Sequence, residues 1–341
     1  MAITIKDIAE QAQVSVSTVS RSLNDSPLVA RGTKQKIIDI AEKLGFEFNS
    51  SARGLSTNQI GTIGIILPAD YDHIHVHLYH SGLHNHLRRS LEREDMDLIV
   101  TFLENRFTGV NNVQKLVRRR KVDGLILVDP RFDQATERFL NQERIPYVYS
   151  HYPPPEPRSD VDWVYVDHEQ GGMLVGQLFA DRGFRHVISF RDTSGSLEFQ
   201  QRLRGFRAGL QPAGKAIDLV EISGESTFES GFEIAQSRNP DISKADALFA
   251  LNDLMALGLI HGLQSRGCRV PEDVRVVGYD DTALASRLRP LLTTVRQPAE
   301  EVAFLTCERL IRVIRDRQGD RIHLPSQIAL QPHLVLRETC P

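Results

Sequence analysis

The sequence has very few cysteines and no long apolar run. Cys268, Cys307 and Cys340 are the only cysteines among 341 residues, and their odd number and wide spacing exclude a disulfide framework and agree with a reducing cytosol. The N-terminus lacks the apolar core of a signal peptide, and no stretch of about 18 apolar residues follows that would span a membrane. We therefore expect a cytoplasmic protein without a membrane partner.

Strong net charge is also missing. The formal net charge is −3, which gives no overall signature of a nucleic-acid-binding protein. The first 60 residues contain 7 Lys and Arg against 6 Asp and Glu, so the usual basic footprint is missing there as well. We find no phosphate loop, no Gly-x-Ser-x-Gly elbow and no His-Glu-x-x-His motif, and Ser150 with His151 has no identifiable acidic partner. We therefore do not expect an enzyme.

Two patterns of hydrophobic residues divide the chain. Residues 1–46 show apolar residues at helical spacing and no strand signal. From about residue 61, nine short β-rich runs alternate with amphipathic stretches, which predicts parallel sheets built from βαβ units. Helices are predicted at 169–182, 199–211, 253–266 and 298–316. The fold class is therefore a small all-α domain followed by two doubly wound parallel-sheet halves, with a joint near the proline-rich segment 152–160.

The polar stretch SVSTVSRSLN (15–24) is unusual for an early helix. A helix that starts near Lys6, a turn at 13–15 and a second helix from Val16 give the spacing of a helix-turn-helix. Val19 and Leu23 then face the core, and the hydroxyls and Arg21 face outward. From the residues alone, a solvated helix in a small bundle is an equally good alternative.

A resemblance that extends over the rest of the chain favours the helix-turn-helix over a solvated helix in a small bundle. The stretch TIKDIAEQAQVSVSTVSRSLN (4–24) closely resembles the DNA-binding head of the lactose- and galactose-repressor family, and the similarity continues through VDHEQG (166–171), RLRGF (202–206), ALNDLMALG (250–258), VVGYDD (276–281) and LTTVRQP (292–298). It implies a transcriptional regulator, usually a repressor, that binds a pseudo-palindromic operator as a dimer. A small-molecule effector (a sugar, sugar derivative or nucleoside-like metabolite) controls it, and no cofactor, catalytic residue or metal site is expected.

The resemblance divides the chain into a helix-turn-helix domain (1–46), a hinge (47–60) that becomes helical on DNA, and an effector-binding and dimerisation domain (61–341). Short hydroxyls, the Val16 methyls and the Arg21 guanidinium suit base edges and phosphates. The expected major-groove residues are Ser15, Val16, Ser17, Thr18, Ser20, Arg21 and Asn24. The expected minor-groove residues are Asn49, Ala52, Arg53 and Leu55, with Leu55 as the wedge between base pairs. The alternative for 47–60 is a flexible linker whose Leu55 packs on the core.

The resemblance also implies a periplasmic-binding-protein-like core of two sub-domains, assigned here to 61–160 with 293–320 and to 161–292 with 321–341. The effector lies between them, at the carboxyl ends of the strands. The expected effector-binding residues are Arg202, Asn252 and Asp280, and the further candidates are His77, Tyr79, His151, Glu198 and Phe228. Asp253 and Asp281 are assigned to helix capping or an intersubunit salt bridge. No leucine heptad follows the last predicted strand, so we expect a dimer and not a tetramer.

Six of the twelve histidines lie within residues 72–86. His80 and His84 are four residues apart on a predicted helix, which is a spacing used by metal ligands. No nearby cysteine completes a site. We therefore interpret these histidines as hydrogen-bonding residues of the cleft, which bind an anionic effector when protonated or make the response sensitive to pH.

Overall fold

The computed structural model describes residues 3–23, 26–46, 60–67, 78–128, 132–154, 158–211, 217–237 and 239–341. Several residues named above lie outside these ranges: Asn24, His77 and the four hinge residues Asn49, Ala52, Arg53 and Leu55. Within the described ranges, no helix is both long and apolar enough to cross a membrane.

The head, residues 3–46, contains three helices: α1 (Ile5–Ala12), α2 (Val16–Leu23) and α3 (Arg31–Leu44). Their small core has Ile8, Val19 and Ile37 at its centre, all fully buried. Gly45 ends α3 in the left-handed conformation, with φ 66°, which a glycine adopts without steric cost. The helix-turn-helix predicted from the spacing of apolar residues is therefore confirmed, with its turn between α1 and α2.

The α/β region alternates strands and helices as expected. In chain order its elements are β1 (Thr62–Leu67), α4 (Leu78–Glu92), β2 (Asp97–Phe102), α5 (Asn112–Arg118), β3 (Gly124–Leu127), α6 (Gln134–Gln142), β4 (Tyr147–His151), β5 (Asp162–Val166), α7 (His168–Asp181), β6 (His186–Asp192), α8 (Leu197–Leu210), β7 (Asp218–Gly224), α9 (Phe228–Gln236), α10 (Pro240–Lys244), β8 (Ala247–Phe249), α11 (Asp253–Ser265), β9 (Arg275–Asp280), β10 (Thr293–Arg296), α12 (Ala299–Gln318), β11 (Gln327–Leu330) and β12 (His333–Val335).

These strands form two six-stranded sheets, in the orders β11-β5-β4-β3-β1-β2 and β12-β10-β9-β8-β6-β7. All pairs are parallel except β10 with β12. All six residues of β1 are buried, as expected for a central parallel strand covered by helices on both faces. The predicted class of two doubly wound sheets behind a helical head is confirmed.

The bounds assigned to the two sub-domains need correction. β5 pairs with β4 and β11 in the first sheet, so the joint is not at 152–160, and 161–167 belongs to the first sub-domain. β10 pairs with β9 in the second sheet, whereas 321–330, which includes β11, belongs to the first. The chain therefore passes between the sub-domains near residues 167, 297 and 331. Apolar strands predict a sheet but do not show which sheet receives them.

Four glycines bring α7 and α8 into unusually close contact. A Cβ on Gly172 would lie 1.9 Å from the carbonyl oxygen of Arg202, and a Cβ on Gly205 would lie 1.8 Å from that of Glu169. Gly176 and Gly209 face each other in the same way one turn further along. Because no side chain separates the backbones, the start of α7 is held beside the side chains of α8.

We expect Gly172→Ala to lower the free energy of unfolding by about 3 kcal/mol, because the added methyl overlaps a rigid backbone carbonyl. Gly82→Ala is the matched control: Gly82 is also in a helix interior, and its added Cβ meets no atom within 4 Å. This control should stabilise the protein by roughly 0.5–1 kcal/mol. Denaturant unfolding of both variants checks the prediction, and equal stabilities would contradict the close packing of α7 on α8.

Candidate functional site

The outer face of α2 presents small polar and charged side chains. Val16 is 46% exposed, and Ser17 and Arg21 are also exposed, whereas Val19 and Ser22 face the core. Thr18 and Ser20 are half-buried at the edge of this face. A helix with a short, polar outer surface fits the width of a DNA major groove, and Arg21 offers a two-pronged donor to a guanine.

Three hydroxyls at the start of α2 hold the helix in place. Ser15 Oγ accepts a hydrogen bond from the backbone N–H of Thr18 at 3.1 Å, which is an N-cap contact. The same Oγ lies 2.7 Å from Ser17 Oγ and 2.8 Å from Thr18 Oγ1. Ser22 Oγ donates to the carbonyl oxygen of Thr18 at 2.8 Å. Several hydroxyls of this stretch therefore stabilise the helix, and the outer face is left to Val16, Ser17 and Arg21.

A second group of polar residues lies between the two sheets. We call it the cleft cluster: Tyr79, His151, Glu198, Arg202 and Asp280. Tyr79 and His151 come from α4 and the end of β4 in the first sub-domain, and the other three come from α8 and the end of β9 in the second. All five follow the carboxyl ends of parallel strands, where open α/β sheets bind ligands. The sequence analysis named each of them separately, and the structure brings them together.

Arg202 is the centre of the cleft cluster. Its side chain is 4% exposed, and its Nη1 donates a hydrogen bond to the carbonyl oxygen of Leu251 at 2.7 Å. Its guanidinium carbon lies 3.7 Å from the centre of the Tyr279 ring, which is a cation–π contact. Nη2 lies 3.5 Å from Glu198 Oε2 and 3.6 Å from Asp280 Oδ1. Both separations are longer than a hydrogen bond, so neither carboxylate is tied tightly to the guanidinium.

Glu198 connects the two sub-domains. His151 Nε2 donates to Glu198 Oε2 at 3.1 Å across the cleft, and both side chains are buried. His168, the first residue of α7, places its Nε2 at 3.7 Å from the same carboxylate oxygen. Its Nδ1 lies 3.3 Å from Tyr279 Oη. The described conformation is thus a closed one, in which side chains of the two halves meet directly.

The two carboxyls beside Arg202 differ in their electrostatics. Burial would raise the pKa of Glu198, but Arg202 and the hydrogen bond from His151 hold it well below its usual range. Burial raises the pKa of Asp280 well above its usual range, and Arg202 offsets this only in part. Burial, assisted by Arg202, lowers the pKa of His168. Glu198 is therefore the permanent counter-ion of Arg202, and Asp280 is the carboxyl that gains most from a ligand that favours its charged form.

Two residues of the cleft cluster have strained backbones. His151 has φ 69° and Asp280 has φ 114°, and each is the last residue of its strand. Side chains other than glycine rarely adopt positive φ, and such residues concentrate at functional sites where the surrounding structure enforces them. The strain turns each chain sharply at the end of a strand, at the edge of the cleft.

Five buried polar atoms in and around the cleft cluster have no hydrogen-bond partner among the described residues: Tyr79 Oη, His151 Nδ1, His168 Nε2, Arg202 Nε and Gln297 Oε1. An unsatisfied buried polar group costs about 1–3 kcal/mol. Such groups are rare in folded proteins and point to a bound water, ion or ligand as their partner. Their convergence at one place indicates a binding site for a polar ligand.

Other predicted residues have structural roles. Asn252 accepts a hydrogen bond from the N–H of Met255 at 2.9 Å and so caps α11, and its amide also donates to the carbonyl oxygen of Ser226 at 2.9 Å. Phe228 stacks on Phe232 and lies beside His261, in a separate aromatic row. The structure therefore gives neither Asn252 nor Phe228 a contact within the cleft cluster.

The two acidic residues assigned to capping or to an intersubunit salt bridge both have partners within the chain. Asp281 forms salt bridges within the chain, with Arg296 and Arg337 at 2.6 Å each. Asp253 accepts from the N–H of Thr282 at 2.6 Å and from the Thr294 hydroxyl at 2.5 Å, and burial raises its pKa to about 7. Both tie the loop after β9 to the second sheet.

Sequence reasoning missed three residues at the cleft: His168, Tyr279 and Gln297. Gln297 Nε2 donates to Asp280 Oδ1 at 2.7 Å, at one of the passages between the sub-domains. Tyr279 lies in β9 just before Asp280, and His168 is the first residue of α7, whose N-cap Asp167 accepts a hydrogen bond from the N–H of Gln170 at 2.9 Å. The position of each directly beside a strand end was the signal that could have identified it.

The comparisons with known proteins agree with this architecture. Residues 4–49 match the model of bacterial regulatory proteins of the lacI family, and residues 177–340 match a periplasmic binding protein-like domain. Catabolite control protein A of Priestia megaterium is 30% identical, and the HTH-type transcriptional regulator CelR of Thermobifida fusca is 29% identical. Each alignment covers 98% of both chains.

Solved structures show the same arrangement of domains. A complex of the transcriptional regulator CelR with cellobiose is 26% identical, with a TM-score of 0.69 and 99% of both chains covered. A lac repressor dimer bound to operator and the anti-inducer ONPF has a TM-score of 0.79 at 24% identity, covering 100% of this chain and 99% of that one. The fold of head and core is therefore shared over the whole chain.

The contrast between the two carboxyls gives a prediction about stability. Glu198→Gln should lower the free energy of unfolding by roughly 3 kcal/mol, because it leaves the buried Arg202 without its ionised partner. Asp280→Asn should be at least as stable as the wild type at pH 7. Since the folded pKa of Asp280 is raised, the wild type loses stability as pH rises above the unfolded pKa of about 4, and the Asn variant loses less, because only the raised pKa of Asp253 then contributes.

Thermal unfolding of the wild type and both variants between pH 4 and pH 8 tests this contrast. The advantage of Asp280→Asn should shrink toward pH 4. A variant that is less stable than the wild type at pH 7 would show that Asp280 is ionised and held by Arg202.

Proposed function

Because the chain belongs to the lacI family of bacterial regulatory proteins and is a DNA-binding transcriptional regulator, not an enzyme, we propose that a polar, sugar-like effector in the cleft cluster controls its affinity for operator DNA. The proposal includes a homodimer that binds a pseudo-palindromic operator through two copies of α2. It also includes a hinge at 47–60 that orders on DNA, with Leu55 as its wedge.

The unpartnered polar atoms of the cleft carry this proposal. Arg202 Nε can only donate, Gln297 Oε1 can only accept, and Tyr79 Oη can do both. A ligand that satisfies all three must offer donors and acceptors close together, which is the character of vicinal hydroxyls. An apolar ligand would leave these groups unpaired, at a cost that opposes its binding. The structure of the related regulator CelR with cellobiose supports the same class of ligand.

The position of the cleft cluster supports control of DNA binding. His151 and Glu198 join the two sub-domains by a hydrogen bond, and an effector that enters between them changes how the halves meet. The first sub-domain begins at the end of the hinge, so a change in its orientation moves the hinge and the head. Such a ligand alters DNA affinity by its differential binding to the two arrangements.

Base readout gives the first test. Arg21→Ala should weaken specific operator binding by about 1–3 kcal/mol and relax the sequence preference at one position of each half-site. Lys43→Ala is the control, because Lys43 is an exposed cation in the last turn of α3 and its removal should affect all sequences alike. Gel shifts on operator and scrambled DNA measure both effects. A uniform loss in Arg21→Ala, with the preference intact, would make Arg21 a phosphate contact.

A thermal-shift screen with cellobiose, ribose, other sugars and nucleosides tests the effector site. A ligand of the cleft should raise the Tm of the wild type, and Asp280→Asn should weaken its binding by roughly 1–3 kcal/mol. Asp273→Asn is the matched control, since Asp273 is a carboxylate that pairs with Arg269 on the surface. If Asp280→Asn responds as the control does, the ligand binds elsewhere and the cleft proposal fails.

Gel shifts with the ligand identified by this screen show whether the ligand weakens or strengthens operator binding. Release of the wild-type protein from operator identifies an inducer, and tighter binding identifies a co-repressor. In either case Asp280→Asn should need more ligand than Asp273→Asn for the same effect.

A further inference from the structure

Three buried side chains of the cleft have the composition of a metal site. His151, His168 and Glu198 each offer one ligand atom, and these three atoms lie within 4.8 Å of one another. Glu198 Oε2 is 3.1 Å from His151 Nε2 and 3.7 Å from His168 Nε2. Ligands of a tetrahedral ion with bonds of about 2.0–2.2 Å lie at comparable separations. Small side-chain movements, together with a shift of the His151 proton from Nε2 to Nδ1, which has no hydrogen-bond partner among the described residues, bring the three atoms around one ion.

We propose that His151, His168 and Glu198 bind one divalent transition-metal ion of the Zn²⁺ type, which joins the two sub-domains across the cleft. His151 comes from the first sub-domain, and His168 and Glu198 come from the second. Two imidazole nitrogens and one carboxylate oxygen form a ligand set used by zinc sites that keep an open fourth position. The proposal concerns the same cleft as the effector but does not depend on which effector binds.

The state of His168 supports metal binding over a simple hydrogen-bond network. Its side chain is 2% exposed and its Nε2 has no hydrogen-bond partner among the described residues. Its other nitrogen, Nδ1, lies 3.3 Å from Tyr279 Oη. A proton held on Nδ1 by the phenol leaves the lone pair on Nε2, directed toward Glu198. Metal-bound histidines usually have such an outer partner, which fixes the tautomer and the ring orientation.

The charges around the three ligands also admit a cation. Arg202 Nη2 lies 3.5 Å from Glu198 Oε2 and opposes a second positive charge. However, Arg202 also has the Asp280 carboxyl, the Leu251 carbonyl and the Tyr279 ring as partners. Glu198 supplies a negative charge to the site, and Asp280 lies beside the same guanidinium as a second carboxyl whose charged form a nearby cation would favour.

The fourth position of the ion can be filled from the cleft. Tyr79 lies beside His151, with ring centres 5.0 Å apart, and its buried hydroxyl has no partner in the described part of the chain. A water or an effector hydroxyl held there by Tyr79 would complete a tetrahedron. The ion would favour the closed arrangement, because only that arrangement brings His151 to the two ligands of the second sub-domain.

This assignment differs from the sequence expectation of no metal site. That expectation rests on His80 and His84, four residues apart on one predicted helix, with no nearby cysteine to complete a site. The three residues proposed here are 17 and 30 positions apart and belong to three different elements. Their proximity depends on the pairing of β4 with β5 and on the close contact of α7 with α8.

Titration of the full-length, EDTA-treated protein with Co²⁺, without DNA or effector, tests the proposal. The wild type should bind one Co²⁺ per chain with the visible absorption of a tetrahedral ion, and Zn²⁺ should displace it and raise the Tm. His168→Gln and His151→Gln should each weaken binding more than about 100-fold. His186→Gln is the matched control, because His186 is an exposed histidine that pairs with Asp218 outside the cleft, and it should bind like the wild type.

Several outcomes would overturn the proposal. The wild type could show no stoichiometric Co²⁺ binding, or the binding could survive both His168→Gln and His151→Gln. A signal lost only in His84→Gln would assign the ion to the histidine-rich segment instead. If the cleft variants fail to fold in EDTA, X-ray absorption of the Zn²⁺-loaded wild type decides: two imidazole ligands support the site, and one or none rejects it. None of these results bears on operator binding, so they leave the proposed function to its own tests.

Discussion

The buried guanidinium of Arg202 is the constraint on which the cleft depends. A charge removed from water is tolerated only when charges and hydrogen bonds surround it. Glu198 provides the negative charge, Asp280 lies beside the guanidinium as a carboxyl whose pKa burial raises, the Leu251 carbonyl accepts a hydrogen bond, and the Tyr279 ring covers one face. These partners come from different elements of the second sub-domain, and Glu198 reaches the first sub-domain through His151. The neutralisation of Arg202 thus links the second sheet to the first. Any ligand of the cleft changes the charges and hydrogen bonds around this guanidinium.

The backbone arrangement makes this possible through close contact and strain. The glycines of α7 and α8 allow the two helices to touch, which places His168 beside Glu198. The positive φ values of His151 and Asp280 turn their chains at the strand ends. The strain at these two residues reduces stability locally and is maintained by well-packed cores on either side of each sheet. The site is therefore built from positions that a stability criterion alone would not select.

Much of the fold could be predicted from sequence because its signals are local. The helix-turn-helix follows from the spacing of Ile8, Val19 and Ile37, and the βαβ alternation follows from short apolar runs. The assignment of β5, β10 and β11 to their sheets could not be predicted, because an apolar run does not show its partner: β5 and β10 pair with the strands just before them, β4 and β9, whereas β11 pairs with the distant β5. The residues of the site were likewise predicted only in part. Arg202 and Asp280 were found by resemblance, whereas His168, Tyr279 and Gln297 were missed, because only tertiary contacts bring them to the cleft.

The last passage of the chain into the first sheet affects how the protein folds during synthesis. β11 is the edge strand beside β5, and both β11 and α12, which covers a face of the same sheet, follow the strands β6 to β10 of the second sheet in the chain. A nascent chain folds from its N-terminus as it leaves the ribosome, so the head can form early. The first sub-domain, however, must wait with an exposed strand edge until most of the second sub-domain has been synthesised. A DNA-binding head thus exists on the ribosome before the domain that regulates it is complete.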